Sequence, residues 1–166
     1  RLLQNDYKVA VLSRGYKRKS NGFIIADENA TAESIGDEPF QYYKKFKNVI
    51  VCVDADRING INVLKSLKNP PDVILLDDAF QHRRVIGGVN ILLTSFNDLY
   101  VDDAMLPTGN LRENISGANR ADIIIVTKCP STLSEKQQIE IAKNLNPTLN
   151  QTVFFTTIEY NEELKG

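Results

Sequence analysis

Val73-Ile74-Leu75-Leu76-Asp77-Asp78-Ala79-Phe80-Gln81-His82 is the stretch that decides how this chain folds: four apolar residues in a row, then two acids. An uninterrupted apolar run of that length predicts a strand covered on both faces, and such strands belong to parallel sheets flanked by helices. Comparable runs occur at Val9 to Leu12, Phe23 to Ala26, Val49 to Val53, Val89 to Leu93, Ile123 to Val126 and Val153 to Phe155. Helical spacing lies between several of them. Phe40, Tyr43 and Phe46 share one side of a helix from Pro39 to Phe46, and Ile58, Ile61, Leu64 and Leu67 do the same from Ile58 to Leu67. Ser134 opens a third helix carrying Ile139, Ala142 and Leu145. Alternating strands and helices predict an α/β fold: a mainly parallel sheet with flanking helices, a Rossmann-like three-layer arrangement.

The whole chain, residues 1–166, is expected to form a single domain, with a weakly patterned, frayed tail after about residue 157. A charge balance of 20 Lys+Arg against 21 Asp+Glu provides no field that would gather nucleic acid, so no nucleic-acid partner is expected. No apolar run approaches the roughly 20 residues of a membrane span. Cys52 and Cys129 sit in separate apolar runs with no C-x-x-C pairing, which predicts reduced thiols rather than a disulfide or a zinc site. The opening Arg1-Leu2-Leu3-Gln4-Asn5-Asp6 reads as the last turn of a helix before a strand, so the natural start is expected upstream.

Ligands of an open α/β sheet bind at the carboxyl ends of its strands. Polar residues follow the apolar runs with consistency: Ser13-Arg14-Gly15-Tyr16, Asp54-Ala55-Asp56-Arg57, Asp77-Asp78 with Gln81 and His82, and Thr127-Lys128. An apolar strand ending in acid is how phosphate-transferring enzymes hold magnesium, although the pair equally fits a helix cap beside a solvated carboxylate. Adjacent strand residues point oppositely, so one of Asp77 and Asp78 is expected to face the metal. Gly36-Asp37-Glu38-Pro39 reads as a helix start, with Asp37 as the cap and Pro39 in the first turn. A carboxylate at that positive terminus is also placed to accept a proton from a hydroxyl. His82 is the sole histidine. Arg14, Tyr16, Arg57 and the Arg112-Glu113 pair each read alone as surface groups; together they suit phosphate or sugar recognition. Lys17-Arg18-Lys19 fits a solvated turn or a contact to lipid phosphate. The long segment from Ser95 to Arg120 lacks a core pattern. No G-x-x-x-x-G-K-[ST] or G-x-G-x-x-G occurs anywhere in the chain.

Read in order, S-R-G-Y (Ser13 to Tyr16), G-D-E-P (Gly36 to Pro39), V-D-A-D-R (Val53 to Arg57), L-D-D-A-F-Q-H-R (Leu76 to Arg83), L-P-T-G-N-L-R-E (Leu106 to Glu113) and A-D-I-I-I-V-T-K-C (Ala121 to Cys129) resemble the tetraacyldisaccharide 4′-kinase family. The resemblance runs from residue 1 to at least Pro130. It implies a P-loop NTPase-like fold and an enzyme that uses ATP and Mg2+ to phosphorylate the 4′-hydroxyl of the lipid A disaccharide precursor. The work would be done at the cytoplasmic side of the bacterial inner membrane. It also implies that this chain is a central fragment, inactive alone, with the membrane anchor and the ATP-binding P-loop upstream. Asp37 is then the implied general base, and Asp77, Asp78 and Glu38 the implied metal-organising carboxylates. Tyr16, Arg57, Gln81, His82, Arg112 and Glu113 match positions lining the disaccharide and phosphoryl-transfer cleft. Asn114 stands where many family members have proline, which alters the local shape expected of that loop.

Two other functions fit parts of the pattern. Thr127-Lys128 after a strand resembles the base-recognition segment of GTP-binding proteins, but Pro130 stands where those carry aspartate. That substitution weighs against a GTPase-like or metallochaperone NTPase. A non-catalytic Rossmann-like binding module would leave the rim residues dispersed.

Overall fold

In a computed structural model the described residues are 2–159, and the chain divides into two compact units, residues 1–85 and 86–166. The end of the tail, from residue 160, lies outside the described residues.

The first unit is built on four strands, β1 (Val9–Ser13), β2 (Ile24–Ile25), β3 (Val49–Val53) and β4 (Val73–Leu76), in the order β2-β3-β1-β4. β1 is central and parallel to both β3 and β4, and β2 is a short antiparallel edge on β3. Ala10, Leu12 and Cys52 point to one face, where they meet Leu64 from the helix between β3 and β4 in a fully buried cluster. Val9, Val11, Val49 and Leu75, one residue out of phase, face the other side. There they floor an apolar trough of about 500 Å3 whose far end is Asp77.

Three helices serve this unit: α1 (Ala32–Ile35), α2 (Asp37–Lys45) and α3 (Arg57–Ser66). The short α1, closed by a Thr31/Ser34 capping box, has no counterpart in the sequence-based expectation. Both longer helices occur where the spacing predicts them, and α3 turns the expected Ile61, Leu64 and Leu67 to the core. In α3 the buried residues are Arg57, Gly60 and Leu64, while Ile58 is exposed. Gly60 takes the contact position because a Cβ there would lie 2.9 Å from the Leu12 methyl groups; only glycine lets the helix approach β1 this closely. In α2 Pro39 is the buried residue; Phe40, Tyr42 and Tyr43 are each half-buried, and Tyr42, with Phe46 after the helix, lines the trough. Lys44 lies over the Phe40 ring, Lys45 over Phe46 and Lys47 over Tyr43, so lysines cover three aromatic rings of this segment.

The second unit carries β5 (Ile91–Ser95), β6 (Ile123–Thr127) and β7 (Thr152–Phe155), all parallel, with β6 in the middle. The parallel strands thus fall into two sheets. α4 (Glu135–Leu145) begins at Ser134, whose side chain forms a capping box with Gln137. Val89 stays outside β5, in a turn after Gly87-Gly88. Ile124 and Val126 are fully buried, yet Leu93 is 63% exposed and exposure alternates along the edge strands β5 and β7. Continuous apolar character does not by itself cover an edge strand on both faces. The patternless segment becomes a series of turns ending in a 3-10 helix at Ile115–Arg120, capped by the Asn114 side chain.

Both thiols are free and buried. Burial, and then the negative charge of Asp54, push the Cys52 thiol up to about 12. The folded state therefore binds this proton more tightly than the unfolded chain, where a cysteine titrates near 9. Stability from this group is complete below about pH 9 and is lost as pH rises towards 12. Unfolding midpoints are expected to fall more steeply over that alkaline window for the native protein than for Cys52→Ala. Parallel curves for the two would remove Cys52 from the alkaline limb.

Candidate active site

The site begins with register. Ser13 pairs with Val53 across β1 and β3, and Leu12 pairs with Leu76 across β1 and β4, so three neighbouring strands end together. One residue further on, Asp54 N–H donates to the Ser13 carbonyl at 3.0 Å and Asp77 N–H to the Leu12 carbonyl at 3.1 Å. Ser13, Asp54 and Asp77 therefore stand side by side on one rim.

Arg57 locks this rim. As the first residue of α3 it is only 3% exposed, and its Nη1 donates to the Asp54 carbonyl at 2.9 Å while Nη2 reaches the Asp77 carbonyl at 3.4 Å. One guanidinium thus ties the end of β3 to the end of β4. Its pKa is lowered, first by burial and then by Arg14, against the opposing charges of Asp77, Asp78 and Asp54. Read from sequence as a surface charge, Arg57 is in fact buried, because Asp56 caps α3 through bonds to the Ile58 and Asn59 N–H groups and turns the next residue inward. Asp54, also buried, accepts from Asn59 Nδ2 at 2.7 Å and from Asp56 N–H at 2.9 Å, and so shapes the loop.

The acidic pair does not keep strand alternation. Asp78 leaves β4 in the left-handed region at φ 44°, and both carboxylates act on the charge of Arg57. Asp77 Oδ2 is buried and has no hydrogen-bond partner among the described residues, nor does Arg57 Nε. Gln81 and the half-buried His82 follow in a tight turn, held by the His82 N–H to Ala79 carbonyl bond of 2.8 Å.

S-R-G-Y and G-D-E-P meet through two glycines. Gly36 has φ 94°, and a Cβ on it would lie 3.2 Å from the Tyr16 carbonyl oxygen and 3.3 Å from Gly15. The loop after β1 and the start of α2 touch backbone to backbone, which a side chain at Gly36 would prevent. Gly36, not Asp37, is the cap of α2; Asp37 is its first residue and makes no capping bond, so its carboxylate is exposed and available. Tyr16 is 73% exposed with Lys17 Nζ above its ring. Arg18 folds back onto Ser20 and the Gly22 carbonyl, closing the loop on itself.

Sequence reasoning missed Tyr42. It lies one turn after Glu38 on α2, and it lines the apolar trough together with Asp77. Burial first, then the charges of Asp77 and Glu38, raise its pKa, so it remains a donor at neutral pH. The available signal was its i+4 spacing from Glu38 and i+3 spacing from buried Pro39.

Arg112 and Glu113 belong to the second unit. Glu113 Oε1 accepts from Arg120 Nη2 at 2.7 Å and flanks Gly117, bracing the 3-10 helix. In the same unit the Thr127 hydroxyl donates to the Thr94 carbonyl at 3.1 Å. No helix among the described residues is long and apolar enough to cross a membrane, and none of them forms a group of three or more metal-ligating side chains.

The family model for tetraacyldisaccharide-1-P 4′-kinase matches residues 1–164. The chain belongs to that family. It is 61% identical over 166 residues to the tetraacyldisaccharide 4′-kinase of Flavobacterium johnsoniae, covering all of this chain and 49% of the relative. Against the enzyme of the same name from Bacteroides thetaiotaomicron it is 50% identical over 161 residues, 96% of this chain and 42% of the relative. The crystal structure of the "apo" form of LpxK from Aquifex aeolicus in complex with ATP superposes with a TM-score of 0.65 at 30% identity, covering 95% of this chain and 64% of that one. The expected α/β, P-loop NTPase-like class agrees with this likeness. The chain spans about half the length of the curated relatives it matches.

Proposed function

We propose that the whole protein transfers the γ-phosphoryl group of ATP to the 4′-hydroxyl of the tetraacyldisaccharide 1-phosphate precursor of lipid A, at the cytoplasmic face of the inner membrane, with no nucleic-acid partner. The observation that carries this is the shared rim: the ends of β1, β3 and β4 bring Asp77 beside Tyr42, whose helix begins with Asp37 and Glu38. Family membership and the ATP bound by the Aquifex aeolicus neighbour support the choice of reaction. In the whole protein the glycine-lysine cradle for the phosphates lies outside this chain, which contains no such motif.

The donor set fits magnesium. That ion takes hard oxygen ligands, commonly one or two carboxylates with water and substrate phosphates completing the shell, so a third protein ligand is not needed. The unpartnered, buried Oδ2 of Asp77 is an acceptor in want of a cation, with Asp78 next to it and Glu38 on the facing helix. Bound there, magnesium would neutralise the phosphate charge. Asp37, exposed at the head of α2, takes the proton of the attacking hydroxyl. Tyr16 offers an exposed ring on which the sugar can stack, and Gln81 and His82 supply donors from the turn after β4. Arg57 stiffens the rim from beneath. Catalysis is then mainly orientation and charge stabilisation, as in other phosphoryl transfers.

A nucleotide panel assayed on the complete protein with the lipid disaccharide as acceptor tests this. Label is expected to move from [γ-32P]ATP to the lipid; hydrolysis without transfer would instead indicate an NTPase of another kind.

A further inference from the structure

We propose that the outward face of α2, together with the turn that follows it, is a docking surface for anionic lipid headgroups that holds the protein on the bilayer carrying its substrate. The inference rests on the lipid phosphotransfer proposed above and gives that function a contact surface within this chain. α2 runs out in Tyr42-Tyr43-Lys44-Lys45-Phe46-Lys47, and each of its lysines lies over a ring. Lys44 Nζ is 5.1 Å from the centre of Phe40, Lys45 Nζ 5.5 Å from Phe46 and Lys47 Nζ 5.8 Å from Tyr43. All three lysines are exposed, and among the described residues none of them forms a salt bridge. Basic residues in the last turn of a helix are ordinary, because they face the negative end of its dipole. That accounts for Lys44 and Lys45 but not for Lys47, which lies beyond the helix, nor for the rings beneath all three. Aromatic rings crossed by lysine stems are what a protein surface needs at headgroup level: the ring meets the apolar boundary while the ammonium reaches phosphate. Phe46 is 40% exposed and Phe40 and Tyr43 are half-buried, so the rings can touch a bilayer but not sink into it. Charge must then supply most of the attraction, at about fivefold in binding for each lysine near an anionic surface. A nucleic acid fits less well, since the rings are capped by lysines and not open for bases to stack on. Asp37 lies seven residues before Lys44, two turns along the same side of the helix, so a bilayer held here runs beside the element that presents the proposed base.

The complete protein is sedimented with vesicles of phosphatidylcholine alone and of phosphatidylcholine with phosphatidylglycerol. The readout is the ratio of the two partition coefficients, in which any apolar anchoring common to both cancels. Lys44→Gln/Lys45→Gln/Lys47→Gln is expected to lower this anionic preference by about tenfold or more, and high salt should abolish it in the native protein. Lys65→Gln/Lys68→Gln/Lys136→Gln removes the same charge from exposed lysines elsewhere and should leave the ratio as it is. A native ratio in the first triple variant overturns the proposal. An equal fall in both triple variants also overturns it, because net charge and not this face would then be acting. Contact is read separately with Tyr43→Trp, whose added fluorescence should be quenched by brominated phosphatidylglycerol vesicles; an unquenched signal overturns the proposal. Retention on a single-stranded oligonucleotide without vesicle binding does so too and makes the partner a nucleic acid. Phosphate transfer to the lipid disaccharide in neutral detergent micelles separates this inference from the function beneath it. There the first triple variant should work at the native rate and lose rate only on anionic vesicles. If the native protein transfers nothing in micelles but shows the expected vesicle behaviour, the kinase reading falls and the docking face stands. If transfer is normal and the vesicle ratio does not respond to the three lysines, only the docking face falls.

Discussion

Asp37→Ala in the complete enzyme is expected to cut turnover by about 10^2- to 10^4-fold, the usual contribution of a positioned general base, while the KM for ATP changes little. The asymmetry follows from position. Asp37 is the first residue of α2, exposed, and makes no capping bond. Its removal therefore takes away no hydrogen bond that the fold depends on, and the Gly36 cap with its close contact to Gly15 and Tyr16 remains. A loss confined to the chemical step should show as a fall in kcat and in kcat/KM by the same factor. Steady-state kinetics with ATP and lipid varied in turn supply the measurement, with circular dichroism as a check on folding. Turnover within threefold of native would remove Asp37 as the base and leave proton transfer to another group.

The second large effect is structural. Arg57→Met is expected to lower the stability of the complete protein by about 3–5 kcal/mol, since it removes two hydrogen bonds from a charged donor at roughly 1.5–3 kcal/mol each. The methionine matches much of the stem but none of the donors. Two backbone carbonyls, of Asp54 and Asp77, lose their bonds, and the buried Asp54 carboxylate is left near Asp77 and Asp78 without the cation that offsets all three. Arg57→Lys should recover only a fraction, because a single ammonium cannot span both carbonyls as a planar fork does. Denaturant unfolding followed by circular dichroism reads the shift. A change below about 1 kcal/mol for Arg57→Met would mean that the strand ends hold their register without the guanidinium.

Much of the site was legible because it obeys local rules. The acids and glycines that follow β1, β3 and β4 could be placed on a rim from their position after apolar runs, and the register of the sheet brings Ser13, Asp54 and Asp77 level. Tyr42 and the buried state of Arg57 were not legible in the same way. Tyr42 sits among Phe40, Tyr43 and Phe46 on a nine-residue helix with apolar groups on two sides, so either face satisfies a helical period. The choice depends on what lies opposite, and opposite lies an apolar sheet face that ends at Asp77. Arginine is usually a surface residue, and nothing within five positions of Arg57 reveals that two carbonyls from separate strands will converge on it.

By itself the sequence determined the α/β class, the seven strands, the three longer helices and the identity of the chemistry-bearing side chains, because these depend on contacts between near neighbours in the chain. Only the tertiary structure decided that the strands form two sheets, that Gly60 meets Leu12 where α3 crosses β1, and that Asp78 leaves β4 with a left-handed backbone while Arg57 is buried against two strand ends. Those outcomes are set by packing between segments dozens of residues apart, where steric fit at Gly60 and the need to pair a buried carboxylate outweigh any periodicity along the chain.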